Sequence, residues 1–505
     1  IIRARITIPE RAIYNSGAWM KKLNEILKGI KVRDSKGNLD IKVANIVFDS
    51  RLVKKGSLFV ALAGTQTDGH HFIPQAVKSG AVCIVCEKHP DHSDESVTYV
   101  IVDSSAFVLG QMASNFYGNP SSSLKLIGVT GTNGKTTIAT LLYTMFRKMG
   151  YKAGLLSTIE NFVDGRQSKA THTTPDPVQI NMLMAERVET GCDFCFMEVS
   201  SHAVVQDRIA GLSFAGAVFT NITHDHLDYH GDFKDYIAAK KKFFDGLAKD
   251  AFALTNRDDR NGDIMVQNTA ARVYTYSLKS MSDFKCSLLD SDINGTHIRI
   301  EHTDVWLGFL GEFNVYNLLA VYAVCVLLGQ NNKEVLEVLS SLKPVAGRFE
   351  IIRSGNGITA IVDYAHTPDA LENVLKAIQS LNRSGKQVIT VVGAGGNRDR
   401  TKRPEMARIA VAMSTKVILT SDNPRNENPE DIMRDMKEGI MGTDRSRTLM
   451  ITDRREAIRA ACMMAEAGDI ILVAGKGHEN YQEINGVRHH FDDREELEKI
   501  FNETR

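Results

Sequence analysis

The chain has 505 residues, of which 43% are hydrophobic and 24% charged, with 61 basic residues balancing 61 acidic ones. That length suits about three ordinary domains, and the even charge gives no global pull toward nucleic acid or an anionic membrane, so any anionic ligand needs a local site. No apolar run approaches the roughly 20 residues that cross a bilayer, and Ile1 to Glu10 lacks an apolar core of signal-peptide length.

Residues 1–104 predict a helical stretch near Gly17 to Gly29, then short strands at Asn45–Phe48 and Ser57–Ala61. Residues 105–345 alternate apolar strands with amphipathic helices. Leu124–Val129 and Ala215–Thr220 read as strands, Lys135–Met149 and Phe233–Leu247 as helices. Residues 346–505 repeat the alternation after the bend Lys343-Pro-Val-Ala-Gly347. Strands are expected at Gln387–Val392, Lys416–Thr420 and Asp469–Val473, and helices at Pro368–Leu381, Arg403–Met413 and Pro429–Gly439. This rhythm implies mostly parallel sheets covered by helices. Two C-x-x-C pairs, Cys83/Cys86 and Cys192/Cys195, fall in or beside apolar strands. Residues three apart on a strand face opposite sides, so buried thiols are expected rather than a metal or redox pair.

After the strand ending at Val129 comes Thr130-Gly131-Thr132-Asn133-Gly134-Lys135-Thr136-Thr137 and then a helix. Glycines let backbone N–H groups converge on phosphate oxygens, and the helix N-terminus favours the negative charge. Lys135 would neutralise phosphate and Thr136 would ligate Mg²⁺. The strict phosphate loop places Gly or Ala at position 129, whereas here the glycines stand at 128 and 131, a variant spacing. Such a loop identifies a nucleotide, not a reaction, so kinases, motors and ligases stay open. The fold class is therefore α/β in three domains: a small N-terminal α/β domain, a central P-loop ATPase-like parallel-sheet domain and a C-terminal Rossmann-like domain.

Two stretches narrow the choice. Phe196-Met-Glu-Val-Ser-Ser-His202 ends a strand in a carboxylate, hydroxyls and an imidazole, where ligands of α/β sheets sit. Glu198 there suits Mg²⁺, which takes oxygen donors. Thr220-Asn-Ile-Thr-His-Asp-His-Leu-Asp-Tyr-His-Gly231 gathers three imidazoles and two carboxylates. Tyr236 and Lys240 lie one turn apart on the helix that follows. Val391-Val-Gly-Ala-Gly-Gly-Asn-Arg398 imitates a dinucleotide fingerprint, but its third glycine is Arg398, which excludes NAD and FAD.

Together these motifs resemble the Mur ligases, which build the peptide of cell-wall precursors, and most closely the members that add its third residue. The resemblance runs from Phe48-Asp-Ser-Arg51 to Gly475-Lys-Gly-His-Glu479. It implies an ATP- and Mg²⁺-dependent ligase, cytoplasmic and monomeric, that does not bind nucleic acid or insert in a membrane. Its expected substrates are UDP-N-acetylmuramoyl-L-Ala-D-Glu and meso-diaminopimelate. Residues 1–104 would bind the UDP-sugar, 105–345 ATP, and 346–505 the amino acid. ATP would be held by Gly131, Thr132, Asn133, Gly134, Lys135, Thr136, Thr137, Asn314 and Arg348, with Asn317 and the run Asp363–Pro368 nearby. The muramoyl-peptide would meet Phe48, Ser50, Thr65, Gln66, Thr67, Thr173, Thr174, Ser200, Gln206 and Arg208; His172 stands where many members have Asn. Lys135, Glu198, His226 and Lys240 would be catalytic, and Thr136, Glu198, His226 and Lys240 would form the metal site. Lys240 falls on the position carbamylated in the family, a change that makes a cation into a metal-ligating anion. Arg403, Asp422, Asn423, Pro424, Arg425, Gly475 and Glu479 would hold diaminopimelate, Arg425 gripping the distal carboxylate in bidentate fashion and Glu479 suiting the distal ammonium. The alternatives are the same reaction with L-Lys, a folylpolyglutamate synthase-like ligase, and a nucleotide-gated scaffold without turnover.

Overall fold

A computed structural model describes residues 20–64, 67–169, 173–223, 232–382 and 385–503. The N-terminal domain is a five-stranded sheet of β1 (Asp34–Lys36), β2 (Asn45–Val47), β3 (Ser57–Val60), β4 (Ala81–Cys86) and β5 (Thr98–Ile101), ordered β1-β5-β4-β3-β2. Only the β1/β5 pair is antiparallel. Of the helix expected near Gly17–Gly29, residues 17–19 lie outside the described residues; over 20–29 it is one turn, Leu23–Ile26, preceded by Lys21–Lys22, which pairs as a strand with Lys42–Val43. The break expected at 104/105 also moves. Helix α1 (Ser105–Phe116) buries Val108, Leu109, Met112 and Phe116 in the same core as Leu58, Val60 and Val85, so it completes the first domain. Cys83 belongs to that core and Cys86 to the one on the opposite face of the sheet, as alternation along a strand requires.

The central domain is built on one eleven-stranded sheet. In chain order its main elements are β6 (Lys125–Thr130), α2 (Lys135–Lys148), β7 (Ala153–Leu156), β8 (Glu160–Val163), β9 (Arg166–Lys169), α3 (Pro177–Glu189), β10 (Phe194–Glu198), β11 (Gly216–Phe219), α4 (Phe233–Asp245), β12 (Phe252–Asn256), β13 (Arg272–Ser277), β14 (Phe284–Asp292), β15 (Gly295–Ile300), β16 (Thr303–Leu307) and α5 (Glu312–Leu327). The spatial order is β9-β8-β7-β10-β6-β11-β12-β13-β14-β15-β16, parallel from β7 to β14 with antiparallel hairpins at both ends. Strands covered on both faces read as continuous apolar runs. Ile127 and Val129 pack toward α2 and α5, while Leu126 joins Ile180 of α3 and Phe243 of α4 on the other face.

The C-terminal domain contains β17 (Glu350–Arg353), β18 (Thr359–Asp363), α6 (Pro368–Leu381), β19 (Val388–Ala394), α7 (Lys402–Met413), β20 (Lys416–Ser421), α8 (Pro429–Lys437), β21 (Thr448–Met450), α9 (Arg454–Met464), β22 (Ile470–Ala474), the hairpin β23 (Tyr481–Ile484) and β24 (Val487–His490), and α10 (Asp493–Glu503). Its six-stranded sheet runs β17-β18-β22-β19-β20-β21. Proline at the first helical position and a side-chain cap start α6 (Thr367) and α8 (Asn428), which makes both starts readable from sequence. Arg454 and Asp493 form a fully buried bidentate pair that ties α9 to α10. The carboxyl ends of the central and C-terminal sheets face each other across a single cleft of about 890 Å³.

Candidate functional site

The strand order reverses around β6, with β10 on one side and β11 on the other, and such a switch point opens a crevice at the strand's carboxyl end. Gly131 and Gly134 take φ values of 151° and 87°, accessible to glycine at no steric cost. Their missing side chains matter as much: a Cβ on Gly131 would overlap Thr220 Oγ1, and one on Gly134 would lie 2.6 Å from Asn317 Oδ1. The end of β11 clamps the loop. Thr132 N–H donates to Asn221 O (2.8 Å), Asn133 N–H to Asn221 Oδ1 (3.0 Å), and Thr220 Oγ1 to Asn133 O (2.6 Å). Thr220 and Asn221 were legible only as the head of the histidine-rich stretch, and their loop-holding role is a tertiary one. Asn317 Nδ2 donates to Asn314 Oδ1 (3.3 Å), so the two α5 asparagines stand as a pair beside the loop. Lys135 Nζ folds back onto Gly131 O (2.9 Å) and Thr132 O (2.8 Å) at the loop's mouth.

Glu198 closes the β10 side. Its Oε2 accepts from Thr136 Oγ1 (2.9 Å) and its Oε1 from Thr158 N–H (2.7 Å), yet at 1% exposure it has no cationic partner among the described residues. A buried carboxylate and a helix-start hydroxyl without a counter-ion form an oxygen donor set suited to a hard divalent cation. Lys240, also 1% exposed, donates to Gly131 O (2.9 Å) and lies 4.7 Å over the Tyr236 ring, as the one-turn spacing implies. Tyr236 in turn shares a 3.1 Å hydrogen bond with Thr132 Oγ1. Behind Glu198, Thr174 Oγ1 donates to the Glu198 carbonyl (2.8 Å) and Ser200 N–H donates to Thr174 Oγ1 (3.1 Å). Arg208 donates to Thr174 O (2.8 Å) and to Gln206 Oε1 (2.6 and 2.9 Å). Thr173 and Ser200 reach the cleft directly.

The opposite wall comes from the C-terminal domain. Gly347 and Phe349 adopt positive φ (65° and 51°) on either side of Arg348. This kink aims Arg348 back at the central domain, where Nη2 donates to Thr136 Oγ1 (3.2 Å) while the guanidinium lies 4.5 Å over the Tyr364 ring. Phe349 N–H donates to Asp363 Oδ2 (2.7 Å). Burial raises the Asp363 carboxyl to about 6, against the pull of Arg348. Asp369, at the start of α6, accepts from Asn133 Nδ2 (2.8 Å) and Thr223 Oγ1 (3.0 Å), so the third domain touches the phosphate loop itself.

Gly475, Asp422, Asn423, Arg425 and Glu479 converge at the carboxyl ends of β22 and β20 and line the cleft. Asn423 Nδ2 donates to Glu479 Oε2 (2.7 Å). Arg425 is fixed in the left-handed region (φ 54°), its N–H donating to Glu483 O (2.9 Å) and its carbonyl accepting from Asn485 N–H (2.6 Å). Its Nη1 donates to Gly396 O (2.7 Å), and the rest of the guanidinium has no partner among the described residues. One expectation changes here. Arg403 borders the cleft, but its two terminal nitrogens are committed to Glu427 (2.9 Å, twice), Asp435 (2.7 Å) and Gly395 O (3.3 Å), and its Nε, without a partner among the described residues, is buried, so it braces the wall. Arg398, the residue at which the dinucleotide fingerprint breaks, is an exposed cation that lines the cleft, with no hydrogen-bond or ion-pair partner among the described residues. The glycines of that fingerprint serve backbone contact: a Cβ on Gly396 would overlap Pro424 O. Pro424 itself does not line the cleft.

Phe48, Ser50 and Thr67 lie at the carboxyl edge of the N-terminal sheet, outside this cleft, with Phe48 36% exposed. Thr65, Gln66, His172 and His226 fall outside the described residues. All seven thiols are buried and free, and burial pushes Cys195 up to about 11. No helix among the described residues is long and apolar enough to cross a membrane.

Three family models match along the chain: Mur ligase family, catalytic domain, over residues 42–117; Mur ligase middle domain, over 129–325; and Mur ligase, glutamate ligase domain, over 347–477. A UDP-N-acetylmuramoyl-L-alanyl-D-glutamate–2,6-diaminopimelate ligase from Phocaeicola vulgatus is 56% identical over 480 residues, covering 95% of this chain and 99% of that protein. A solved structure of an enzyme of the same name superposes with a TM-score of 0.69 at 33% identity, over 96% of this chain and 99% of the other. Folylpolyglutamate synthase from Thermotoga maritima shares the fold with a TM-score of 0.57 at 18% identity, over 72% of this chain and 89% of its own.

Proposed function

The chain belongs to the Mur ligase family, and from that premise we propose that it is the ADP-forming ligase that adds meso-2,6-diaminopimelate to the D-Glu γ-carboxylate of UDP-N-acetylmuramoyl-L-Ala-D-Glu. The observation that carries this reading is the cleft itself. One wall is a phosphate loop with a buried carboxylate, and the other carries carboxylate, amide and guanidinium groups suited to a zwitterion. With ATP and a UDP-activated precursor as substrates, the reaction belongs in the cytoplasm.

In the first step a D-Glu carboxylate oxygen takes the γ-phosphoryl group of ATP, giving an acyl phosphate and ADP. The incoming amine then attacks the acyl carbon, the tetrahedral intermediate collapses with loss of phosphate, and the nitrogen sheds its proton. Both steps bring anions together, so positioning and charge neutralisation are the protein's main contributions. Lys135 at the loop mouth and Arg348 from the facing domain supply cationic charge, and the backbone N–H groups of the loop cradle phosphate. Thr136 and Glu198 would hold Mg²⁺, with Lys240 joining them once carbamylated; when bound, the ion screens phosphate charge. An uncarbamylated Lys240 would repel it, so intact-mass analysis in bicarbonate is expected to find the CO₂ adduct on the wild type and not on Lys240→Ala. Arg425 and Arg398 suit the distal carboxylate of diaminopimelate, and Glu479 with Asn423 suits its distal ammonium.

The decisive experiment measures phosphate release with each substrate omitted in turn. Release that requires the muramoyl-dipeptide and diaminopimelate together supports the ligase; release with ATP alone, or none, overturns it and favours a nucleotide-gated scaffold. Replacing the muramoyl-dipeptide by a folate tests the folylpolyglutamate alternative, and replacing diaminopimelate by L-Lys tests the other amino-acid choice.

A further inference from the structure

Lys476 is absent from every role assigned above, although it is among the most buried charged groups in the molecule. Its side chain has no solvent exposure, and its ammonium faces Asn423 Oδ1 and Glu479 Oε2 (both 3.3 Å), Asp422 Oδ1 (3.8 Å) and the Tyr481 ring (5.4 Å to its centre). A buried charge persists only when paired and hydrogen-bonded, and this one is paired to groups that line the cleft. The turn around it leaves no slack. A Cβ on Gly475 would lie 2.7 Å from Asp422 Oδ2, and one on Gly477 would lie 2.6 Å from Gly347 O. Asn423 is held from two sides as well, since its Oδ1 also accepts from Glu483 N–H (2.9 Å) while its Nδ2 donates to Glu479.

We propose that Lys476 is a positioning residue for the acceptor: a built-in counter-ion that holds Asp422, Asn423 and Glu479 as a preformed pocket for the acceptor's distal ammonium. The charges support this. Asp422 and Glu479 together carry two negative charges and Lys476 one positive, so the pocket keeps one negative charge, which a single bound ammonium neutralises. Without Lys476 the two carboxylates repel each other across the pocket, and the Asn423 carbonyl keeps Glu483 N–H but loses the second of its two donors. Lys476 does not line the cleft, so it acts through Asn423 and Glu479 and not by touching the acceptor. This rests on the reading of the cleft as the diaminopimelate site, and the test separates the two.

The experiment compares meso-diaminopimelate with 2-aminopimelate, which keeps the distal carboxylate but lacks the distal ammonium. Steady-state kinetics are run on the wild type, Glu479→Gln, Lys476→Met and Lys476→Gln. In Lys476→Met the preference in kcat/KM for diaminopimelate should fall about 30-fold, as expected when one member of a buried charge cluster is removed. The loss should sit in KM for the acceptor, with KM for ATP and for the muramoyl-dipeptide changed less than about twofold, since those sites are left intact. Equal loss for both acceptors, an unchanged preference, or failure of both Lys476 variants to fold by circular dichroism would overturn the proposal and leave Lys476 a structural counter-ion. A wild type without preference, or a Glu479→Gln that keeps it, overturns the assignment of the ammonium site itself, and the role of Lys476 with it.

Discussion

At the scale of single residues, Arg425 and Asp363 show opposite uses of a charge. The backbone of Arg425 is locked in the left-handed region by Glu483 and Asn485, while most of its guanidinium has no partner among the described residues. Asparagine tolerates that backbone better than most residues, so Arg425→Asn removes the fork without adding strain. It should lower kcat/KM for diaminopimelate by about 10²-fold or more, the usual cost of losing a charge-assisted pair, while changing the slow rate with L-Lys little. Parallel rate measurements with the two amino acids check this, and equal losses would defeat the assignment. Asp363 is instead kept from water. Its carboxyl titrates near 6 in the folded chain against 3.8 in the reference state, so the folded protein binds more protons than the unfolded chain between those values. Stability therefore falls as pH rises through that window, by an amount on the order of 3 kcal/mol if the site acts alone. Asp363→Asn keeps an acceptor for Phe349 N–H and removes the charge. Urea denaturation at pH 4.5 and 7.5 should find the variant's stability flatter with pH and higher than wild type at 7.5.

At the scale of elements, the phosphate loop is held by what packs on it as much as by its own sequence. Its glycines are legible as phosphate-loop glycines, but Thr220, Asn221 and Asn317 are what make them obligatory. Gly131→Ala would place a methyl on Thr220 Oγ1 at a backbone angle that L residues rarely adopt. Nucleotide binding by calorimetry should weaken at least about tenfold, with a loss of stability of 1–3 kcal/mol typical of overpacking. Helix α6 shows the reverse case. Thr367, Pro368 and the apolar spacing through Leu381 define it locally, and its expected bounds coincide with those observed. Of the helix expected near Gly17–Gly29, the described residues form one turn, Leu23–Ile26, too short to be stable by itself, and Lys21–Lys22 before it pairs in a sheet.

At the scale of the whole molecule, the cleft exists because two sheets present their carboxyl ends to each other, and Asp369 with Arg348 joins the two walls. Asp369→Ala removes charge-assisted hydrogen bonds to Asn133 and Thr223, each worth about 1.5–3 kcal/mol net. The C-terminal domain should then dock less firmly, raising KM for ATP roughly tenfold and enlarging the radius of gyration in solution scattering; an unchanged radius would count against the joining role. Strand–helix alternation, the phosphate loop, the buried thiols and the three-domain plan were decided by the sequence alone, because each depends on local periodicity or on side chains a few residues apart. The phosphate loop, variant spacing included, is of that kind. The commitment of Arg403 to Glu427 and Asp435, the open donors of Arg398, the reach of Arg348 to Thr136 and the enclosure of Lys476 were decided only by the tertiary structure. Arg403, Arg348 and Lys476 meet partners dozens to hundreds of positions away, and whether a charged side chain braces a wall or faces a ligand depends on neighbours that local sequence does not encode.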